Sequence, residues 1–130
     1  MSTAPAYASN PRSIDRATVS AANTARDGSG TIVTIAAGSS AGFRVQEVVT
    51  QPTVTTTAGM IRLFISTDTG STWTLFDEIP VAAATVSASV PGARNSRPYT
   101  NLVLKGTTNL LGASTHNAEA HQVYALGADL

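Results

Sequence analysis

The chain has 130 residues, enough for one domain with a single buried core. Charged residues make up only 12% of it, and eight basic and eight acidic side chains cancel to a formal net charge of zero. Such a surface repels its own copies weakly. The 42% hydrophobic content argues against disorder. Without cysteine there is no disulfide framework, thiolate nucleophile or Cys-based metal site.

The basic residues are dispersed, with no basic stripe or interleaved aromatic residues, so we expect no nucleic-acid partner. No segment approaches the roughly 18 apolar residues of a membrane helix. The first 30 residues also lack the apolar core of a secretory signal. We therefore expect no membrane partner and synthesis in the cytoplasm.

Residues 1–16 read as an extended N-terminal arm, because Pro5 and Pro11 oppose regular structure and few side chains there can be buried. An apolar-poor terminus becomes ordered only when something holds it. We expect the arm to dock on a partner or on its own sheet, with Arg12, Asp15 and Arg16 supplying polar contacts.

From residue 17 onward, β-branched runs alternate with Gly, Asp and Pro turns at the spacing of a β-sandwich. Eight or nine strands predict an all-β fold, an antiparallel two-sheet β-sandwich of the jelly-roll type, as a single domain over 17–130. The predicted strands lie near 17–23, 31–37, 43–50, 60–66, 73–79, 85–90, 99–105, 109–114 and 120–127.

Alternation along the strands assigns side chains to the core. Ile61, Leu63 and Ile65 share one face of their strand and are predicted core residues. Phe64 lies on the opposite, mixed face, and Glu47 interrupts an apolar row. Both are candidate subunit contacts, although a β-bulge would explain Glu47 equally well.

The sharpest local motif is S-x-D-x-G-x-T-W, formed by Ser66, Asp68, Gly70 and Trp73 with the residues between them. Asp68 can cap turn amides, Gly70 can adopt positive φ, and Trp73 can pack over the hairpin. The motif resembles the Asp-box, a β-hairpin element of sialidases and several other β proteins. That resemblance implies a structural hairpin and no catalytic role.

Gly38–Gly42 matches G-x-S-x-G, and Asp77 with His116 or His121 follows in the order of a hydrolase triad. A nucleophile elbow requires a helix directly after the serine, whereas residues 43–49 have strand composition. We therefore predict a loop and no enzyme.

Metal and sugar binding are weaker alternatives. Glu119 and His121 share a strand face beside His116, but no further ligand is evident, so we predict no metal site and no cofactor. Exposed aromatic residues of a β-sandwich can bind sugar rings, and Trp73, Tyr99 and Tyr124 are the candidates.

The chain resembles small structural proteins of tailed-phage virions, especially jelly-roll head decoration or cement proteins. The likeness rests on abundant Ala, Thr and Ser, Gly-punctuated strands, absent cysteine and the closing run from Leu111 to Asp129. It implies a symmetric dimer or trimer on the outer surface of the phage head, made in the host cytoplasm. Its partners would be the major capsid protein and copies of itself. A tail, collar or baseplate component and a carbohydrate-binding host-recognition module are the alternatives.

Overall fold

The computed structural model describes residues 10–130, in which nine strands form two antiparallel sheets. The strands are β1 (Asn10–Pro11), β2 (Asp15–Val19), β3 (Val33–Ala37), β4 (Phe43–Pro52), β5 (Gly59–Ser66), β6 (Thr74–Val81), β7 (Asn95–Leu104), β8 (Leu110–Thr115) and β9 (His121–Asp129). Sheet A has the order β1-β9-β4-β7, with β2 also paired to β9, and sheet B has the order β3-β8-β5-β6. The predicted all-β sandwich is confirmed.

The pairing follows one rule, in which early strands meet late ones. β2 pairs with β9, β3 with β8, β4 with β7 and β5 with β6, all antiparallel. This is one long hairpin whose eight strands have been rolled into two facing sheets, which is the jelly-roll arrangement. The additional pairs β4 with β9 and β5 with β8 complete the two sheets.

The core lies between the sheets and contains the predicted residues. Ile61 and Leu63 are fully buried in it, and Ile65 packs against it. The predicted strand at 85–90 is wrong, because these residues form an exposed connection between β6 and β7 with only isolated bridges. Its alternating valines have no sheet partner against which to be buried.

A β-bulge in β4 explains Glu47. The register against both neighbouring strands shifts between Val45 and Glu47, so Gln46 is an extra residue. The shift turns Val48 toward the core and places Glu47 and Val49 on the outer face of sheet A. Opposite the bulge, a Cβ at Gly127 would collide with the Arg44 carbonyl oxygen, so this close approach requires glycine.

The described part of the N-terminal arm belongs to the chain's own sheet. β1 and β2 both pair with β9, and the predicted domain boundary at residue 17 falls inside β2. Residues 1–9 of the predicted arm lie outside the described residues. Of the two docking modes expected from sequence, residues 10–19 adopt the one on their own sheet.

Arg12 fastens this arm to the C-terminal strand. Its Nη1 lies 2.9 Å from Asp129 Oδ1, its Nε lies 3.0 Å from Asp15 Oδ2, and its Nη2 donates to the Ala37 carbonyl. The guanidinium carbon sits 3.8 Å from the centre of the Phe43 ring. Burial disfavours the charge, but the hydrogen bonds and ion pairs with Asp129 and Asp15 outweigh it and raise the pKa of Arg12.

We predict that Arg12→Leu and Asp129→Asn each lower the free energy of unfolding by about 1–3 kcal/mol, because each leaves a partly buried charge or polar group unpaired. A double-mutant cycle measured by chemical denaturation should give a coupling energy of about 1 kcal/mol or more. Arg16→Leu, at an exposed position of β2, is the matched control and should change stability by less than about 0.5 kcal/mol. Additive effects of the two substitutions would show that Arg12 and Asp129 do not stabilise each other.

Two buried threonines give a second prediction. Thr50 is fully buried and its Oγ1 finds no hydrogen-bond partner among the described residues, whereas Thr56 Oγ1 donates to the Ala82 carbonyl at 2.8 Å. Thr50→Val should raise the free energy of unfolding by about 1 kcal/mol, because it removes an unsatisfied buried hydroxyl, and Thr56→Val should lower it by about the same amount. Equal losses in denaturant titrations would show that Thr50 has a partner after all.

Candidate functional site

The Ser66–Trp73 hairpin is a closed hydrogen-bonded turn. Asp68 Oδ1 accepts from Ser66 Oγ at 2.8 Å and from the Thr72 amide at 2.9 Å, while the Gly70 amide donates to Ser66 Oγ at 2.8 Å. Gly70 has φ of 89°, which its missing Cβ permits. The Trp73 ring lies over Gly70 and Gly112. The motif residues thus bond to one another, in the arrangement of a structural hairpin.

These hydrogen bonds set the charge state of Asp68. Donation from the Thr72 amide, and then from the Ser66 hydroxyl, favours the carboxylate and lowers the pKa of Asp68 from its ordinary value of 3.8. Because the pKa is lower in the folded chain, the stabilisation is present above the unfolded value and disappears as the pH falls through the folded one.

Asp68→Asn should therefore be less stable than the natural chain near neutral pH, and the gap should close as the pH falls below about 4. Thermal unfolding of both proteins between about pH 7 and pH 2 measures this directly. A gap that stays constant over the whole range would mean that the Asp68 charge does not stabilise the hairpin.

Segment 20–32 runs along the edge of sheet B and onto its outer face, where Arg26 reaches Glu78 on β6. Ala22 bridges to Thr115, and the Asn23 side-chain amide donates to the Ser29 and Thr31 carbonyls at 2.9 Å each. Farther along, Ile32 reaches Gly112 on β8. The predicted interface residue Phe64 lies on this face and is fully buried there, outside the main core cluster. Its side chain is not available to a partner, because its own chain covers it.

A polar network lies on the same face. Glu78 accepts from Arg26 at 2.7 Å and from Arg62 at 3.0 Å, and Arg62 Nη1 lies 3.2 Å from His116 Nδ1. Hydrogen bonding to Arg26, assisted by Arg62 and opposed by desolvation, lowers the pKa of Glu78. Neighbouring Asp77 points the other way and contacts Arg97 and Tyr99, as alternation along a strand requires.

The catalytic and metal candidates from sequence are engaged in separate contacts within the chain. Gly38–Gly42 is a loop between β3 and β4, and the strand β4 directly follows it. His121 is buried with Nδ1 bonded to the Glu119 carbonyl, and Glu119 binds the Thr57 amide. Within residues 10–130 no group of three or more His, Cys, Asp or Glu side chains is placed to hold a metal ion.

The aromatic candidates are mostly engaged within the chain. The Trp73 ring covers Gly70 and Gly112. The Tyr99 hydroxyl donates to Asp77 at 2.8 Å. Burial, and then the Asp77 carboxylate, raise the pKa of Tyr99. The aromatic residue that sequence reasoning missed is Phe76, which is 41% exposed and packs on Tyr99 with ring centroids 5.3 Å apart. It lines a shallow groove of about 240 Å³ with Ile65, Thr67, Thr72, Thr74 and Leu75. Its exposure depends on a register shift in β6 that alternation does not reveal.

Within residues 10–130, the outer face of sheet A is left open and carries the remaining candidates. Arg16 is exposed on β2 directly opposite Tyr124, and Glu47 lies opposite Leu126. A depression of about 240 Å³ lies among Ile14, Val49, Gln51, Arg94, Tyr124 and Leu126. Of the predicted partner contacts, Arg16 and Glu47 lie on this face, whereas Arg12 and Asp15 bind each other within the chain.

No known protein-family model matches the chain, and no curated protein matches it either. In residues 10–130, moreover, no helix has the length and hydropathy required to span a bilayer.

Proposed function

We propose that the chain is a structural protein of a bacteriophage virion, a capsid decoration or cement protein that adds to the assembled head as a symmetric oligomer. It would stabilise the shell by non-covalent contacts with the major capsid protein and with copies of itself, on the outer surface of the head. The observation that supports this most is a jelly roll in which, among the described residues, segment 20–32 lies against one outer face and no segment covers the other.

The mechanism requires a stiff body and a contact surface. Both ends of the described chain are held in one sheet by β9, and Arg12 clasps the N-terminal arm to the C-terminal strand. A body tied in this way can transmit load across a joint between capsid subunits without unrolling. Symmetric association then presents several identical contact surfaces to a symmetric shell.

The test is location and copy number in purified virions of the phage that encodes the chain. Cryo-electron microscopy with quantitative mass spectrometry should find many copies at symmetry-related sites on the head. Virions lacking the protein should lose heads faster on heating or osmotic shock, because the subunit joints are no longer bridged. About six or twelve copies at one vertex would instead indicate a connector or tail component, and absence from virions would refute the proposal.

A second candidate function, recognition of a host glycan, is favoured by the Phe76 groove. An exposed ring held in place by Tyr99 offers an apolar platform, and three threonine hydroxyls around it suit an uncharged sugar. Phe76→Ser should abolish binding to bacterial surface polysaccharide measured by glycan array, without loss of folding. Val103→Ser, at an exposed apolar position on sheet A, is the control. No glycan binding by the natural chain would eliminate this candidate.

A further inference from the structure

The open face of sheet A combines an apolar centre with charged side chains that have no ion pair or hydrogen bond among residues 10–130. We define the open face by Ile14, Arg16, Glu47, Arg94, Tyr124 and Leu126, with Val49 as its floor. Ile14 is 56% exposed, the highest value among the exposed large hydrophobic side chains of the described chain. The depression next to it is lined mainly by apolar and aromatic groups. A partner that covered this face would therefore bury apolar surface.

The pairing of charged side chains differs between the outer faces of the two sheets. On sheet B, Arg26, Arg62 and Glu78 satisfy one another. Within residues 10–130, four charged side chains have neither an ion pair nor a hydrogen bond of their own: Arg16, Glu47, Arg94 and Lys105. Three of these four lie on the open face, and they include both signs.

The positions of the negative and the positive side chains indicate which molecule packs on the open face. Measured along the direction of β4, Glu47 lies on one side of Val49. Arg94, which directly precedes β7, lies on the other side, next to Gln51. Its neighbour Asn95 pairs with Thr50. A two-fold axis in the plane of the face, perpendicular to the strands and crossing β4 at Val49, exchanges these two sides. Glu47 of each copy then faces Arg94 of the other, and both ion pairs form at once. A surface of one sign would instead require a different, oppositely charged partner.

We propose that the open face is the contact between two copies of this chain, packed sheet to sheet about a two-fold axis. The inference rests on the proposed function, because it names the surface through which the symmetric oligomer forms. Four strand columns at about 4.8 Å spacing make the face about 19 Å wide, so a second sheet can pack across several strands at once. Apolar burial at Ile14, Tyr124 and Leu126 supplies affinity, and the Glu47 and Arg94 pairs fix the orientation.

Sedimentation velocity of the full chain tests the contact. The natural chain should be a dimer, and Glu47→Arg or Arg94→Glu alone should weaken dimerisation more than tenfold, because each places like charges opposite each other twice. An equimolar mixture of the two variants should restore the dimer, since both facing pairs become opposite in sign. Lys105→Glu, in the loop at the other end of β7 from Arg94, is the charge-reversal control and should leave dimerisation unchanged.

A second pair of variants tests whether apolar side chains contribute to the contact between the two copies. Ile14→Ser should weaken the dimer, whereas Phe76→Ser, at an exposed position on sheet B, should not. Circular dichroism spectra should match the natural chain in all variants, because the substituted side chains are not part of the core cluster. Unfolding curves should match only for the variants that keep the dimer, since loss of the dimer lowers apparent stability.

Other outcomes would overturn the inference. A monomeric natural chain, or a trimer, would exclude the two-fold contact, and so would a dimer that persists in the charge and Ile14 variants. A dimer that forms only after deletion of residues 1–9 would show that the chain covers its own face. None of these results decides whether the protein occupies the virion head, which its location and copy number test separately.

Discussion

The structure depends on the backbone pairing of β9. This last strand hydrogen-bonds to β1 and β2 on one side and to β4 on the other, so it joins the two ends of the described chain inside one sheet. Its inward side chains, Val123 and Ala125, are buried in the core against strands that come from much earlier in the sequence. The roll can close only when the C-terminal strand is in place, because β2 has its strand partner in β9. The ion pair between Arg12 and Asp129 adds a side-chain contact between the N-terminal arm and β9.

Closure of the roll leaves the two outer faces in different states. Segment 20–32 links β2 of sheet A to β3 of sheet B and crosses the outside of sheet B on the way. It brings Arg26 to Glu78 on the face where Phe64 is buried, so the charges and the large aromatic side chain there are satisfied within the chain. The path of the chain provides no similar cover for sheet A within residues 10–130. A surface left open by the fold is the one on which an assembly protein can make contacts.

A single inserted residue decides what the open face displays. With strict alternation from Phe43, Glu47 and Val49 would point into the core. The bulge at Gln46 reverses the pleat, so Val48 is buried with the core and Glu47 is turned outward beside Leu126. The charge pattern from which self-association is inferred is therefore a consequence of local backbone geometry in β4.

The amino-acid sequence by itself determined the fold class, most strand positions, the core face of β5 and the Asp68 hairpin. These features depend on period-two alternation and on residues near one another in the chain, which a sequence displays directly. The tertiary structure alone decided that the arm from Asn10 pairs with β9, that Phe64 is covered, that 85–90 lacks a partner strand and that Phe76 is exposed. Each of these depends on which distant segment lies alongside, or on a register shift between paired strands. Local composition does not encode either of them, because the hydrogen bonds and buried surfaces involved form between residues far apart in the chain.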